Sequence, residues 1–357
     1  MKFQDKFQEG TEKGLLLNYV QTPVPQRLNV LLFTAVWLWY LIVKYLNNNN
    51  INISDVLQLK LRNDMHQAPT NRQLLRFSYL FAWKLTKIFI LTHVAILLIF
   101  SNYNEQDIFG IQYLVIHSLP LVQFIVIVFL ILRESEIIRY CTKRLLLIEP
   151  NPRILRNVYI LLSDTLTSFN KPLIDFTLFT SLLLGKPLTH FDLFLSSLPS
   201  GVRIFQCLRE YKLLHDTELL LNACKYCSNL PIIACTWYTR THNMSNVSQL
   251  FYSVQLCFLV LNSSYTFYWD VRRDWTIPSI FSLRKNKLTF KPNVYYFAIL
   301  FDFIVRYWWI WVVIYTQNES QNHIFFKYEL YYFEVIRRAN WIIFKLESEY
   351  VNRPIKS

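Results

Sequence analysis

Nine apolar segments dominate this chain of 357 residues and restrict the folds that are open to it. Each has about the 20 residues that a helix needs to cross the hydrocarbon core of a bilayer. They occupy 28–46, 77–101, 111–132, 157–184, 191–208, 219–238, 250–269, 294–316 and 328–345. The pattern predicts an all-α, polytopic integral membrane protein with about nine transmembrane helices.

The composition agrees with a membrane protein and excludes several other classes. Only 17% of residues are charged, against about 25% in soluble domains. The net charge of +13 would suit nucleic acid, but the cations cluster between apolar segments, as in the positive-inside pattern. We therefore expect a lipid bilayer and no nucleic acid as partner. With five glycines and no Gly-rich phosphate motif, nucleotide binding is not indicated.

The distribution of charge also predicts orientation and domain organisation. Basic residues crowd 133–156 and 272–291, which we place in the cytosol, whereas N-glycosylation sequons begin at Asn243, Asn246 and Asn318. These features put the C-terminus in the cytosol; nine spans then make the N-terminus lumenal, and one helix more or fewer reverses that side. We divide the chain into a short segment (1–27), N-terminal transmembrane helices (28–156), a second membrane region (157–352) and a cytosolic tail (353–357).

Charged residues inside two apolar segments are the strongest functional signal. Glu334 precedes Arg337 and Arg338 by three and four residues, and Asp302 precedes Arg306 by four. Such spacings put the charges on one side of each helix. Charges at membrane depth cost several kcal/mol unless they pair or line a wet cavity. They are therefore either structural ion pairs or a cationic site for an anion that crosses the membrane.

Other polar residues add candidates for such an anion site. Lys225 and Tyr226 offer a cation and a hydroxyl donor within 219–238, and Asp164 lies one turn before Ser168. Arginine and lysine bind oxyanions such as phosphate through several charged donors. Nearby carboxylates would keep the anion from binding too tightly to be released.

Two further groups near the end of an apolar segment allow more than one interpretation. Asp270 and Asp274 are spaced i, i+4 in the sequence YWDVRRDW. They either contribute to the site or cap the helix by pairing with the neighbouring Arg272 and Arg273. Trp309 follows Arg306 by three residues, so it either gates the site or is a packing or membrane-belt residue.

The sequence gives no support for an enzyme, a cofactor or a metal. The histidines are scattered, without the HExxH spacing of zinc proteases, and no GxSxG elbow is present. Cys224 and Cys227 form a single CxxC without a second pair, which is weak evidence for zinc. We expect buried, reduced cysteines and a protein that is not an enzyme; an intramembrane enzyme has no supporting motif.

Four sequence blocks resemble a known family. They are LLSDTLTSFNKPLIDF (161–176), RIFQCLREYKLLHDTELLLNACKY (203–226), SSYTFYWDVRRDW (263–275) and FEVIRRANWIIFKLESEYVN (333–352). These blocks resemble the EXS domain of phosphate exporters that include the xenotropic and polytropic retrovirus receptor. The resemblance covers 161–352 and implies a helical homodimeric exporter that holds inorganic phosphate in its C-terminal EXS bundle.

The same motifs imply roles for individual residues. The phosphate-contacting candidates are Lys225, Tyr226, Arg306, Arg337 and Arg338. The acidic pathway residues are Asp164, Asp270, Asp274 and Glu334, and the gate candidate is Trp309. One departure concerns the motif CLRRYRD, which reads CLREYKL here, so that Glu210 replaces an arginine and Leu213 an aspartate. This places a cytosolic helix-to-helix contact in question.

The resemblance also implies a cellular role. Only 27 residues precede the first span, so we expect a form without the SPX sensor domain of the larger exporters, similar to the short fungal Golgi members. For these it implies return of phosphate from the Golgi lumen to the cytosol, with effects on glycosylation, retention of ER proteins and recycling of glycosyltransferases. The alternative is a trafficking adaptor without transport activity, whose cytosolic stretches 272–291 and 347–357 bind coat proteins or glycosyltransferase tails.

Overall fold

A computed structural model describes residues 26–59, 69–101, 111–145, 155–174, 177, 190–241, 249–284, 288–316 and 325–353. Within these ranges the chain forms fourteen α-helices and one π-helical turn, and it has no β-strand. The predicted all-α class is confirmed. The predicted sequons at Asn243, Asn246 and Asn318 lie outside the described residues.

The helices follow one another with short connections. In the first half they are α1 (Arg27–Asn48), α2 (Ile53–Leu57), α3 (Asn71–Ser101), α4 (Ile111–Glu134), α5 (Glu136–Leu145), α6 (Arg156–Thr167) and α7 (Asn170–Ile174). In the second half they are α8 (Phe191–Leu214), α9 (Thr217–Cys227), α10 (Leu230–Thr241), α11 (Gln249–Trp269), α12 (Pro292–Arg306), α13 (Trp308–Thr316) and α14 (Phe325–Val351). The π-helical turn, Asp270–Asp274, directly continues α11.

Two helices in the described part of the chain are long and apolar enough to cross a membrane by length and composition, Arg27–Asn48 and Asn71–Ile99. Large apolar side chains on the second of these point away from the protein, and Leu91 is 73% exposed. Such a surface suits contact with lipid rather than water. The predicted number of nine spans stays a prediction.

Three segments that we predicted as continuous helices are broken. Segment 157–184 is interrupted after α6 at Ser168, segment 219–238 after α9 at Ser228, and segment 294–316 at Tyr307. In each, the backbone near the break is bonded differently from a regular helix; the Ser228 hydroxyl, for example, donates to the Lys225 carbonyl at 2.7 Å. Breaks at such positions are tolerated where the freed backbone groups face protein or water.

The C-terminal helix α14 holds the parts of the structure together. It packs against α1, α12 and the π-helical turn. Its buried Trp341 and Phe344 belong to the largest apolar cluster, together with Trp275 after the π turn and Tyr295 of α12. The predicted helix 328–345 is longer than expected at both ends. This long helix fixes the height at which its arginines meet the breaks in the neighbouring helices.

Candidate functional site

Arg337 of α14 is the centre of a buried cluster of charges. Its Nε lies 2.9 Å from Glu334 Oε2 and its Nη2 lies 2.5 Å from Glu334 Oε1. Its Nη1 lies 2.9 Å from Asp302 Oδ1 of α12 and 3.4 Å from Asp270 Oδ2 of the π turn. Arg337 is 2% exposed and Asp302 is fully buried. One guanidinium therefore joins three elements, as its planar fork of donors allows.

Arg306 at the end of α12 completes this cluster. Its Nε donates to Asp302 Oδ2 at 2.9 Å, which confirms the i, i+4 pair read from the sequence. Its Nη2 also pairs with Asp270. Asp270 and Asp302 thus each bind both arginines, so the two helical pairs form one interlocked network. The π-helical turn directs Asp270 into this network.

A second group of charges surrounds Asp164 of α6. Arg203 Nε lies 2.6 Å from Asp164 Oδ1, and the Tyr226 hydroxyl donates to the same oxygen. The Arg203 guanidinium stacks over the Tyr226 ring at 4.9 Å. Lys225 Nζ lies 4.5 Å from the Tyr226 ring and 5.4 Å from the Trp269 ring. Arg203 was not among our predicted site residues, although a single cation inside the apolar segment 191–208 would have pointed to it.

Arg338 differs from its neighbour in having no carboxylate partner. Its Nε donates to Ser168 Oγ and its Nη2 to Thr167 Oγ1, both at 3.0 Å. We expected Glu334 to serve both arginines, but its ion pair is with Arg337, and it meets only the Ser168 hydroxyl, at 3.5 Å. Arg338 also lines a cavity of about 110 Å³ between α1, α6 and α14.

The charges of the site do not cancel. Among the described residues of these two groups, five cations (Arg203, Lys225, Arg306, Arg337, Arg338) face four carboxylates (Asp164, Asp270, Asp302, Glu334), which leaves one positive charge in excess. Lys225 and Arg338 are both buried, and no ion pair of the described chain includes either. A buried charge is costly unless it is compensated. The arrangement is therefore suited to bind an anion.

Trp309 lies next to the central cluster. Its Nε1 donates to Ser263 Oγ at 3.0 Å, and Ser263 Oγ lies 3.3 Å from the Arg306 carbonyl at the helix break. The side chain is half-buried. Trp309 thus packs beside the residue that we expect to bind phosphate, and its role as a gate stays a prediction.

Asp274 lies apart from the central ion pairs. It accepts from Trp341 Nε1 at 3.2 Å and pairs with Lys345 Nζ at 3.2 Å, farther along α14. The alternative in which the two aspartates cap the helix through Arg272 and Arg273 is wrong: Arg272 donates to the Pro278 carbonyl, and Arg273 pairs with Glu218.

A chain of polar side chains runs along one face of α8 away from Asp164. Arg203 donates to Gln206, whose Nε2 donates to Glu210 Oε1 at 3.3 Å. Glu210 pairs with Arg156 Nη2 at 2.7 Å, and Arg144 Nη2 lies 3.9 Å from it. The contact that the departure at Glu210 put in question is therefore made, by a carboxylate between two arginines.

Comparison with known proteins places this site in a family. The chain is 47% identical to Protein ERD1 of Saccharomyces cerevisiae over 353 residues, which cover 96% of this chain and 97% of the relative. It is 29% identical to Protein ERD1 of Kluyveromyces lactis over 93% of this chain and 95% of the relative. A shorter match, 29% identical over 171 residues, joins 43% of this chain to 24% of Solute carrier family 53 member 1 of Mus terricolor. The EXS family model matches residues 22–351, so this membrane protein belongs to the EXS family.

Proposed function

We propose that this protein exports inorganic phosphate through the Golgi membrane, from the lumen to the cytosol. The observation that carries the proposal is the pair of buried cations without carboxylate partners, Lys225 and Arg338, beside a cluster with one excess positive charge. Phosphate is a compact oxyanion whose several oxygens accept charge-assisted hydrogen bonds from such donors. The similarity to Solute carrier family 53 member 1 supports a transported solute.

The two kinds of cation have different parts in the proposed mechanism. Arg338 and Lys225 have donors to offer the anion, whereas Arg306 and Arg337 are already engaged by Asp270, Asp302 and Glu334. The engaged arginines set the positive potential and their carboxylates limit it, so that phosphate binds weakly enough to leave. Tyr226 adds a hydroxyl beside Asp164.

Access from the two sides would change at the broken helices. The breaks after α6, α9 and α12 adjoin Arg338, Lys225 and Arg306 respectively. Discontinuous helices form ion and substrate sites in many transporters, where one group of helices rocks against another. In the proposed arrangement about nine spans carry the site in each protomer of a homodimer, and Trp309 closes one side.

The proposed Golgi location and direction rest on the similarity to the two proteins named ERD1. Lumenal glycosylation reactions would supply the phosphate, and its removal would support glycosylation, retention of ER proteins and recycling of glycosyltransferases. Contacts with glycosyltransferases or coat adaptors are additional proposed partners and are not needed for transport.

Phosphate flux from liposomes that contain the purified protein tests the transport proposal. We expect Lys225→Gln and Arg338→Gln each to reduce flux by about tenfold or more, because a charged hydrogen bond contributes roughly 1.5–3 kcal/mol. Arg273→Gln is the matched control, since its guanidinium pairs with Glu218 at the surface. Wild-type flux in both site variants would contradict the proposal.

Absence of flux from well-folded wild-type protein would favour the adaptor function instead. In that case Arg337→Ala with Arg338→Ala should leave glycosyltransferase localisation unchanged. Altering the basic stretch 272–291 or the tail 347–357 should disturb it. The two functions are therefore separable by the same set of variants.

A further inference from the structure

A short, tight turn after the π-helical segment holds a phenylalanine out from the protein. Ser279 and Ser282 exchange backbone hydrogen bonds of 3.3 and 3.2 Å, and the Phe281 amide donates to Ser279 Oγ at 3.3 Å. Between the two serines, Phe281 is 89% exposed, and Ile280 is also exposed. A large apolar side chain held in this position suggests a surface that contacts another apolar phase.

Buried and ordered contacts fix the turn on the rest of the fold. Arg284, two residues beyond it, forms a buried ion pair with Glu347 of α14 and donates to Thr276 Oγ1 at 3.1 Å. On the other side, the Tyr296 hydroxyl of α12 donates to the Phe281 carbonyl at 3.4 Å. The turn is thus held at the start of α12, and its apolar tip has a defined position.

The exposed tip continues an apolar stripe along α12. Phe297 is 70% exposed, and Leu300 and Ile304 follow it at spacings of three and four residues on the same helix face. The opposite face carries the buried Tyr295 and Asp302. In a membrane protein an apolar stripe of this kind faces lipid, so Phe281 lies at the end of a lipid-facing surface.

Cations flank the turn. Arg272 and Lys291 are both exposed, and Arg272 bonds the Pro278 carbonyl at the base of the turn. Aromatic side chains next to exposed arginine and lysine are typical of segments at the boundary between headgroups and acyl chains. Anionic lipids attract cations in this position.

We propose that the turn 279–282 inserts into the anionic cytosolic leaflet of the protein's own membrane. Phe281 enters the boundary of the acyl chains, and Arg272 and Lys291 bind lipid phosphates. The continuity with the α12 stripe favours lipid over a protein partner, because a protein would have to bind a tip that already adjoins the bilayer. This contact anchors the loop that Arg284 ties to α14, and it does not require phosphate transport.

Photo-crosslinking from the turn tests this contact. The full chain, with p-benzoylphenylalanine in place of Phe281, is reconstituted in vesicles of phosphatidylcholine and phosphatidylserine in equal parts, irradiated and analysed by mass spectrometry. The same replacement at Phe297 is the positive control for lipid adducts. We expect lipid adducts at both positions, with phosphatidylserine enriched at position 281 by roughly fivefold, the factor that one surface cation provides.

The charge of the turn provides the matched comparison. Lys291→Gln and Arg272→Gln should each lower the enrichment of phosphatidylserine at position 281 and leave the adducts at position 297 unchanged. Adducts at 281 without preference for the anionic lipid would overturn the electrostatic contact. Lipid adducts at 297 but none at 281, or crosslinks from 281 to a second copy of the chain, would overturn insertion altogether.

Discussion

Replacement of Arg337 should destabilise the fold far more than replacement of the adjacent Arg338. Arg337 is 2% exposed and bonds to Glu334, Asp302 and Asp270. With Arg337→Gln, Arg306 is left as the arginine that faces all three carboxylates. Breaking a buried ion pair by removing one partner costs about 3–5 kcal/mol. Arg338 bonds two hydroxyls, so Arg338→Gln should cost only about 1–2 kcal/mol.

The free energy of unfolding in mixed detergent micelles, followed by circular dichroism, measures this difference. Both variants are compared with the wild type at the same detergent composition. A second variant pair isolates the contact with Asp302, whose Oδ1 lies 2.9 Å from Arg337 Nη1. We expect Arg337→Gln combined with Asp302→Asn to be less destabilised than the sum of the two single changes, by about 1–3 kcal/mol.

Two results would refute this reasoning. Equal losses of stability for Arg337→Gln and Arg338→Gln would show that the ion pairs of Arg337 do not determine its contribution. Additivity within about 0.5 kcal/mol in the Arg337 and Asp302 cycle would show that the two residues are energetically independent.

Three further predictions follow from contacts around the site. Glu210→Arg should lower phosphate flux and stability because it places a third cation beside Arg156 and Arg144, and adding Arg156→Glu should recover part of both; no recovery would contradict the pairing. Trp309→Phe keeps an aromatic ring but loses a hydrogen bond worth roughly 1 kcal/mol, so flux should change by less than about tenfold, and complete loss would point to a larger role. Burial raises the pKa of the Cys141 thiol to about 11, so at neutral pH, below that pKa, it stays protonated and should label slowly with maleimide in the folded protein, whereas the exposed thiol of Cys224 should label quickly; equal rates would contradict the packing around α5.

Local helical geometry could be predicted from the sequence because it depends only on residue spacing. The pairs Glu334–Arg337 and Asp302–Arg306 form as their spacings of three and four indicated. The apolar segments gave the helical class, and the motif blocks indicated the family. Each of these features is encoded within a few residues of the chain.

The breaks in the helices could not be predicted in the same way. Segments 219–238 and 294–316 are apolar enough to continue through Ser228 and Tyr307. They stop there because other helices supply polar partners: Asn262 meets the Ser228 hydroxyl at 2.7 Å, and Ser263 approaches the Arg306 carbonyl. Both partners belong to α11, far away in the sequence, so hydropathy carries no signal of the break.

The sequence by itself determined which charges lie within apolar helices and which of them pair within one turn. Only the tertiary structure decided that Asp270 joins the arginines of two helices, that Arg203 completes the site at Asp164, and that Arg338 turns from Glu334 to the hydroxyls of α6. The physical reason is that a spacing along one helix fixes the side on which a charge lies. The partner on that side is set by how the neighbouring helices pack.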